Sequence, residues 1–133
     1  MWVGGLTFYA LVVIPSGASV VGDTTQGFIT QRVTGWMNWI GVLALAALLP
    51  TLSRRWMIAT WMCMAIALAV LFAIHARMDA ILDSETMEVS NRAAFASWHQ
   101  KYLLATTLQW LAGMAHLWGV VQPVSCQRPA AEL

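Results

Sequence analysis

Apolar residues gather into four long runs, Trp2 to Val21, Trp36 to Leu52, Trp56 to Ala76 and Tyr102 to Val121, and polar residues concentrate between them. Each run is close to the roughly 20 residues that a helix needs to cross the hydrocarbon of a bilayer. The pattern predicts an all-α chain: a four-transmembrane-helix bundle over 1–121, antiparallel and up-down-up-down, with a short disordered cytoplasmic tail over 122–133. The tryptophans fit two headgroup layers, with Trp2, Trp56 and Trp118 at one set of helix ends and Trp36, Trp39 and Trp98 at the other.

The connections are read from their punctuation. Pro15 predicts a bend in the first helix. Gly22 to Gly35 reads as a polar link containing a short amphipathic segment through Arg32. Pro50 and the five residues Thr51 to Arg55 predict a tight hairpin that makes helices two and three antiparallel neighbours. Met78 to Glu88 is acid-rich, and its Ile81, Leu82 and Met87 predict an amphipathic stretch on the membrane surface. Ser90 then reads as the N-cap of an extended fourth helix that enters the hydrocarbon near Tyr102.

The sharpest pattern lies on that last helix, where His99, Tyr102, Thr106, Gln109, Gly113 and His116 recur at alternating intervals of three and four. Such spacing puts all six on one face, and polar atoms in hydrocarbon need partners, so this seam is expected to turn toward other helices. Weaker echoes run along helix one, through Tyr9, Ser16, Ser19 and Asp23, and along helix two, through Thr34, Asn38 and Gly41. If the polar faces meet, Ser16, Ser19 and Asp23 gather with Asn38, His75, His99 and Tyr102 near one interface. The functional reading is a route or site for a small solute, a proton or a lipid; the other reading is interhelical hydrogen-bond glue. The Ala65, Ala69 and Ala73 row reads as packing only.

Composition sharpens the solvent question. The 133 residues are 59% hydrophobic and 10% charged, and the mean hydropathy is +0.66, well outside the range of domains solvated by water. A formal net charge of +1 and the lack of a basic run with interleaved aromatics exclude a nucleic-acid partner. Cys63 and Cys126 fall at different depths, which argues against a disulfide. The first run lacks a basic region ahead of it and is read as a retained span rather than a signal peptide. Arg54 and Arg55 in the tight hairpin favour cytoplasmic N- and C-termini by the positive-inside bias.

Candidate chemistry is sparse. His75 and His99 fall near one interface and form the candidate pair for a haem b, the alternative being an electron-transfer subunit. His116 is 17 residues beyond His99, about 25 Å along a helix, so those two share no metal. Met62, Cys63 and Met64 are soft ligands but point about 100° apart in succession, and no metal site is expected. No phosphate loop, HExxH, GxSxG or CxxC pattern occurs, so no enzyme activity is predicted.

The runs GGLTFYALVVIPSG, TQGFITQRVTGWMNWIG and FASWHQKYLLATTLQWLAGM together resemble small bacterial four-pass membrane proteins of unknown function. The resemblance spans nearly the whole chain and is most specific at Phe95, His99, Tyr102, Gln109 and Trp110. It implies a multi-pass topology in the bacterial cytoplasmic (inner) membrane, with the lipid bilayer as surroundings, and no substrate, cofactor or catalytic residue. A looser likeness to copper-resistance membrane domains rests on helix number, methionine content and histidines. Assembly as a homo-oligomer, or as a structural accessory subunit of a larger membrane complex, is compatible with so small a chain.

Overall fold

The computed structural model describes residues 2–83 and 88–121, the side chains of 2, 23, 24 and 83 excepted. The expected disordered tail over 122–133, Cys126, Met87 and the Asp23 side chain therefore lie outside the described residues.

The described chain is almost entirely helical and forms four rods. The N-terminal rod consists of α1 (Trp2–Phe8), a π turn (Tyr9–Val13) and α2 (Ile14–Val21). Pro15 has no N–H to offer the turn before it and its ring crowds that turn, so the irregularity expected there takes the form of a widened turn. In it the Ile14 amide donates to the Tyr9 carbonyl, five residues back. Gly22 then breaks the rod with φ 82°, a conformation that a Cβ disfavours.

The second rod differs from the sequence reading. α3 (Asp23–Ala47) is one unbroken helix of 25 residues, and no separate amphipathic segment precedes it. Gly27 and Gly35 weaken helix propensity by roughly 1 kcal/mol each, but tertiary contacts override that cost. Gln26 packs tightly on Gly17 of α2, and the missing side chain of Gly35 leaves room for the His75 ring, whose Nε2 would lie 3.0 Å from an added Cβ.

A 3-10 turn over Leu49–Thr51 contains Pro50 and leads into α4 (Arg55–Asp79). The expected amphipathic stretch after α4 is instead a small antiparallel hairpin, β1 (Leu82–Asp83) with β2 (Glu88–Val89), paired Leu82 to Val89 and Asp83 to Glu88. Backbone pairing there satisfies polar groups that a surface helix would have satisfied internally. The final helix, α5 (Arg92–Val121), is capped by Asn91, whose Oδ1 accepts the Ala94 amide at 2.9 Å. Ser90, the expected cap, donates its hydroxyl to the Ile81 carbonyl and closes the hairpin base.

Successive rods run antiparallel. Gln26 meets Gly17, Gln31 meets Asp79 while Leu45 receives the Trp61 indole, and Thr60 meets His116 while Met78 packs beside Tyr102. The most extensive packing is α4 on α5. One apolar cluster joins Leu71, Ile74 and Met78 to Tyr102 and Ala105, and a second joins Leu45 to Met64 and Leu68. The N-terminal rod has no buried residue in its π turn or in α2 and is the most loosely held.

The outer surface is more apolar than that of a water-solvated domain, and several polar side chains are enclosed. Gln26, Gln31, Asn38, Gln109 and His116 are buried, while Leu103, Leu104, Leu108 and Leu111 face outward, Leu104 with 62% of its surface exposed. Val3–Val21 and Arg55–Asp79 are long and apolar enough to cross a membrane by length and composition; α3 and α5 do not pass the same criterion.

Candidate functional site: an aromatic groove headed by Gln31, His75 and Asp79

A lateral groove of about 1010 Å³ opens between α3 and α4. Its polar end is built where the start of α3 passes the end of α4. Gln31 Nε2 donates to Asp79 Oδ1 at 2.9 Å and to His75 Nδ1 at 3.0 Å. A ring that accepts at Nδ1 carries its proton on Nε2, and that atom faces Asp79 Oδ2 at 3.5 Å. His75 and Asp79 stand one turn apart on α4, so the helix itself brings them together. The His75 side chain is 15% exposed and the Asp79 side chain 56%, so the carboxylate is the group an entering molecule meets. Arg32 lines the same end.

Away from this end the groove becomes apolar. Trp36, Trp39 and Phe72 form its wall, with Trp39 and Phe72 packed edge to face, 5.3 Å between centroids. Phe72 lies seven residues before Asp79, about 10 Å along the helix. The groove therefore has a charged mouth near the helix ends and an aromatic stretch deeper along the rods.

Behind the groove sits a buried polar hub. Tyr102 Oη donates to Asn38 Oδ1 at 3.3 Å, the Thr34 hydroxyl faces the same phenol, and the His75 ring is 6.5 Å from it between centroids. Thr34 itself donates to the Thr30 or Gln31 carbonyl.

The far end of the α5 seam is closed. His116 is 0% exposed, with Nε2 2.9 Å from Thr51 Oγ1 and Nδ1 2.9 Å from Thr60 Oγ1. Both threonines also reach backbone carbonyls, Thr51 that of Leu48 and Thr60 that of Met57. A neutral imidazole donates from one nitrogen and accepts at the other. One threonine therefore keeps its carbonyl bond and receives the ring N–H, while the other turns its hydroxyl to the ring. Through this clamp His116 ties α5 to α4 and to the 3-10 turn. Gln109 and Gly113 are buried between the two ends, and Thr106 is half-buried with its hydroxyl on the Tyr102 carbonyl.

The other residues expected at the site are dispersed. Ser16 and Ser19 are exposed on the outer side of α2, where Ser19 donates to the Ser16 carbonyl at 2.7 Å, so they do not join Asn38 and Tyr102. A hydroxyl satisfied on its own helix needs no partner from another. His99 is exposed as well, its ring stacked on Phe95 at 6.1 Å, whereas His75 is engaged by Gln31 toward α3. The two histidines thus serve different faces and do not form the opposed pair a haem requires. Among the described residues no group of three or more His, Cys, Asp or Glu is placed to hold a metal, and Cys63 is free and exposed.

Gln31, Asp79, Thr51 and Thr60 were not singled out by the sequence. Gln31 was readable in principle, because Gln31, Thr34, Asn38 and Gly41 continue the helix-two stripe one turn backward. No known family, curated protein or solved structure matches the chain. The groove and the buried polar contacts therefore carry the functional argument.

Proposed function

We propose that this chain is a multi-pass integral membrane protein, a four-helix up-down-up-down bundle, that binds a zwitterionic phospholipid in the α3–α4 groove. One observation carries the reading: an outward-opening groove with a charged mouth at the helix ends and an aromatic wall. A lipid ammonium is matched by the exposed Asp79 carboxylate, with Gln31 and His75 bracing that carboxylate from behind. Its phosphate is matched by Arg32 at the same mouth, and an acyl chain by Trp36, Trp39 and Phe72.

The membrane setting is supported by the many large apolar side chains facing outward and by the two rods apolar enough to cross. Arg54 and Arg55, exposed at the α3–α4 turn, favour cytoplasmic termini in the inner membrane and put the groove mouth on the opposite side. The α5 seam serves as packing: Tyr102 and His116 are spent on bonds to neighbouring rods rather than open to a path.

Native mass spectrometry of the full chain, released from micelles doped with equal phosphatidylethanolamine and phosphatidylglycerol, tests this. Retention of a phosphatidylethanolamine adduct is expected. Asp79→Asn weakens one charge-assisted hydrogen bond, about 1.5–3 kcal/mol, so the preference over phosphatidylglycerol should fall by about tenfold or more. Equal retention of both lipids by the wild-type chain refutes the reading.

A further inference from the structure

Of the three histidines, only His75 lines the groove, where protons can reach its ring from the mouth. Its hydrogen bonds decide its protonation state. The Asp79 carboxylate can only accept, so the Gln31 atom 2.9 Å from Oδ1 is Nε2 rather than the amide oxygen. The same Nε2 lies 3.0 Å from His75 Nδ1, which therefore carries no proton. The ring is neutral, with its one N–H on Nε2, 3.5 Å from Asp79 Oδ2. A single amide thus spans an imidazole nitrogen and a carboxylate, and it can do so only while both accept.

We propose that protonation of His75 releases the zwitterionic lipid, so that the groove mouth holds the headgroup near neutrality and lets it go in acid. This rests on the lipid-binding reading of the groove. In an imidazolium both nitrogens donate, so no orientation of the ring offers Gln31 an acceptor. The ring has little room to withdraw, because its Nε2 would lie 3.0 Å from a Cβ at Gly35. Gln31 must instead turn its amide end for end, its oxygen accepting from Nδ1–H, and Asp79 Oδ1 then faces an oxygen where it had a donor. The carboxylate loses its brace. At the same step the ring's new charge stands beside Oδ2 and competes with the lipid ammonium for one carboxylate. Lipid binding and proton uptake at His75 therefore oppose each other, by linkage.

Among the described residues, the titratable and charged groups around the ring are Asp79 on its own helix, Arg32 at the groove end on α3, and Tyr102 on α5, its ring 6.5 Å away. Arg77, two residues along α4 from His75, stands on the opposite side of that helix. Of these side-chain types only imidazole ordinarily changes charge between about pH 5 and 8. Arg32 stays charged throughout and continues to match a phosphate, so acid removes the preference for an ammonium headgroup without closing the groove to an anionic lipid.

Native mass spectrometry of the full chain, from micelles doped with equal phosphatidylethanolamine and phosphatidylglycerol at about pH 8 and about pH 5.5, tests the switch across the range in which imidazole titrates. Wild type should favour phosphatidylethanolamine at the higher value, and that preference should fall by about tenfold at the lower, since a charge-assisted bond is lost. Phosphatidylglycerol adducts should persist at both, as they do if the groove stays intact. His75→Asn offers Gln31 an amide oxygen in place of Nδ1 and takes up no proton, so its preference should not change with pH. Where that variant does not fold, histidine-15N spectra of the wild type replace it: Nδ1 of His75 should pass from bare to protonated over the range in which the preference falls. A wild-type preference for phosphatidylethanolamine that ignores pH overturns the switch and leaves the lipid reading standing. An equal fall in His75→Asn, or a His75 ring still neutral at the lower value, overturns it in the same way. Equal retention of both lipids by the wild type at both values refutes the lipid reading, and the switch falls with it.

Discussion

Thr60→Val should be the more damaging single change in the His116 clamp, and it should become nearly harmless once His116 is already Leu. His116→Leu removes two ring bonds, to Thr51 and Thr60, both at 2.9 Å. Interhelical side-chain bonds in membranes average about 0.6 kcal/mol each, so this variant loses about 1.2 kcal/mol. It orphans no buried hydroxyl, because Thr51 and Thr60 fall back on the Leu48 and Met57 carbonyls. Thr60→Val instead keeps the ring and deletes its partner, leaving Nδ1 enclosed without a hydrogen bond. An unsatisfied buried polar atom costs about 1–3 kcal/mol beyond the lost bond. In the double variant that orphan is gone, and the total should stay within about 0.5 kcal/mol of His116→Leu alone. Unfolding by increasing SDS fraction in mixed micelles, followed by circular dichroism, supplies the four free energies of the cycle. Effects that add to within about 0.3 kcal/mol mean that the two side chains are not coupled, and the clamp is then refuted.

Two further outcomes are expected. Gly17→Ala gains roughly 1 kcal/mol of helix propensity but drives a methyl into the enclosed Gln26 amide, an overpacking cost of about 1–3 kcal/mol; faster hydrogen exchange in peptide 2–21 with α4 unchanged is the sign that the steric term wins, and slower exchange there refutes the contact. Because His75 and His99 serve different faces, protein purified from haem-replete cells should show no Soret absorption, and a stoichiometric band would reinstate the haem.

How much could be read in advance follows from the range of each interaction. The seam through Tyr102, Gln109, Gly113 and His116 was legible because helical spacing alone decides which residues share a face, and these four are buried on α5. Its end was not: His99 keeps the spacing but is exposed and rests on Phe95 of its own helix, while Phe95 and Trp98 make the packing contacts there. The serines of α2 misled for the related reason that a hydroxyl can satisfy itself on the preceding turn. The groove mouth was illegible because it depends on a partner 44 residues away for His75 and 48 for Asp79, on a segment whose glycines read as a link. Glycine lowers propensity, but here its missing side chain is what admits the neighbouring rod.

That distinction also bears on the proposal that all four rods lie in lipid. The hydropathy of a whole helix averages over both faces; α3 falls short because of Arg32, Gln31 and Asn38, and α5 because of Gln109 and His116. All of these but Arg32, which stands at the groove mouth, are buried among the rods, so a surrounding solvent would not meet them. What it would meet is Trp36, Trp39, Ile40 and Leu43 on α3, and Leu103, Leu104, Leu108 and Leu111 on α5. Apolar patches of this extent are rare on monomers in water and are the expected surface against acyl chains. The same surface explains why the charged groove mouth stands out: Asp79 ties α3 to α4 through Gln31 and still leaves its carboxylate exposed at the helix ends, where a lipid headgroup would meet it.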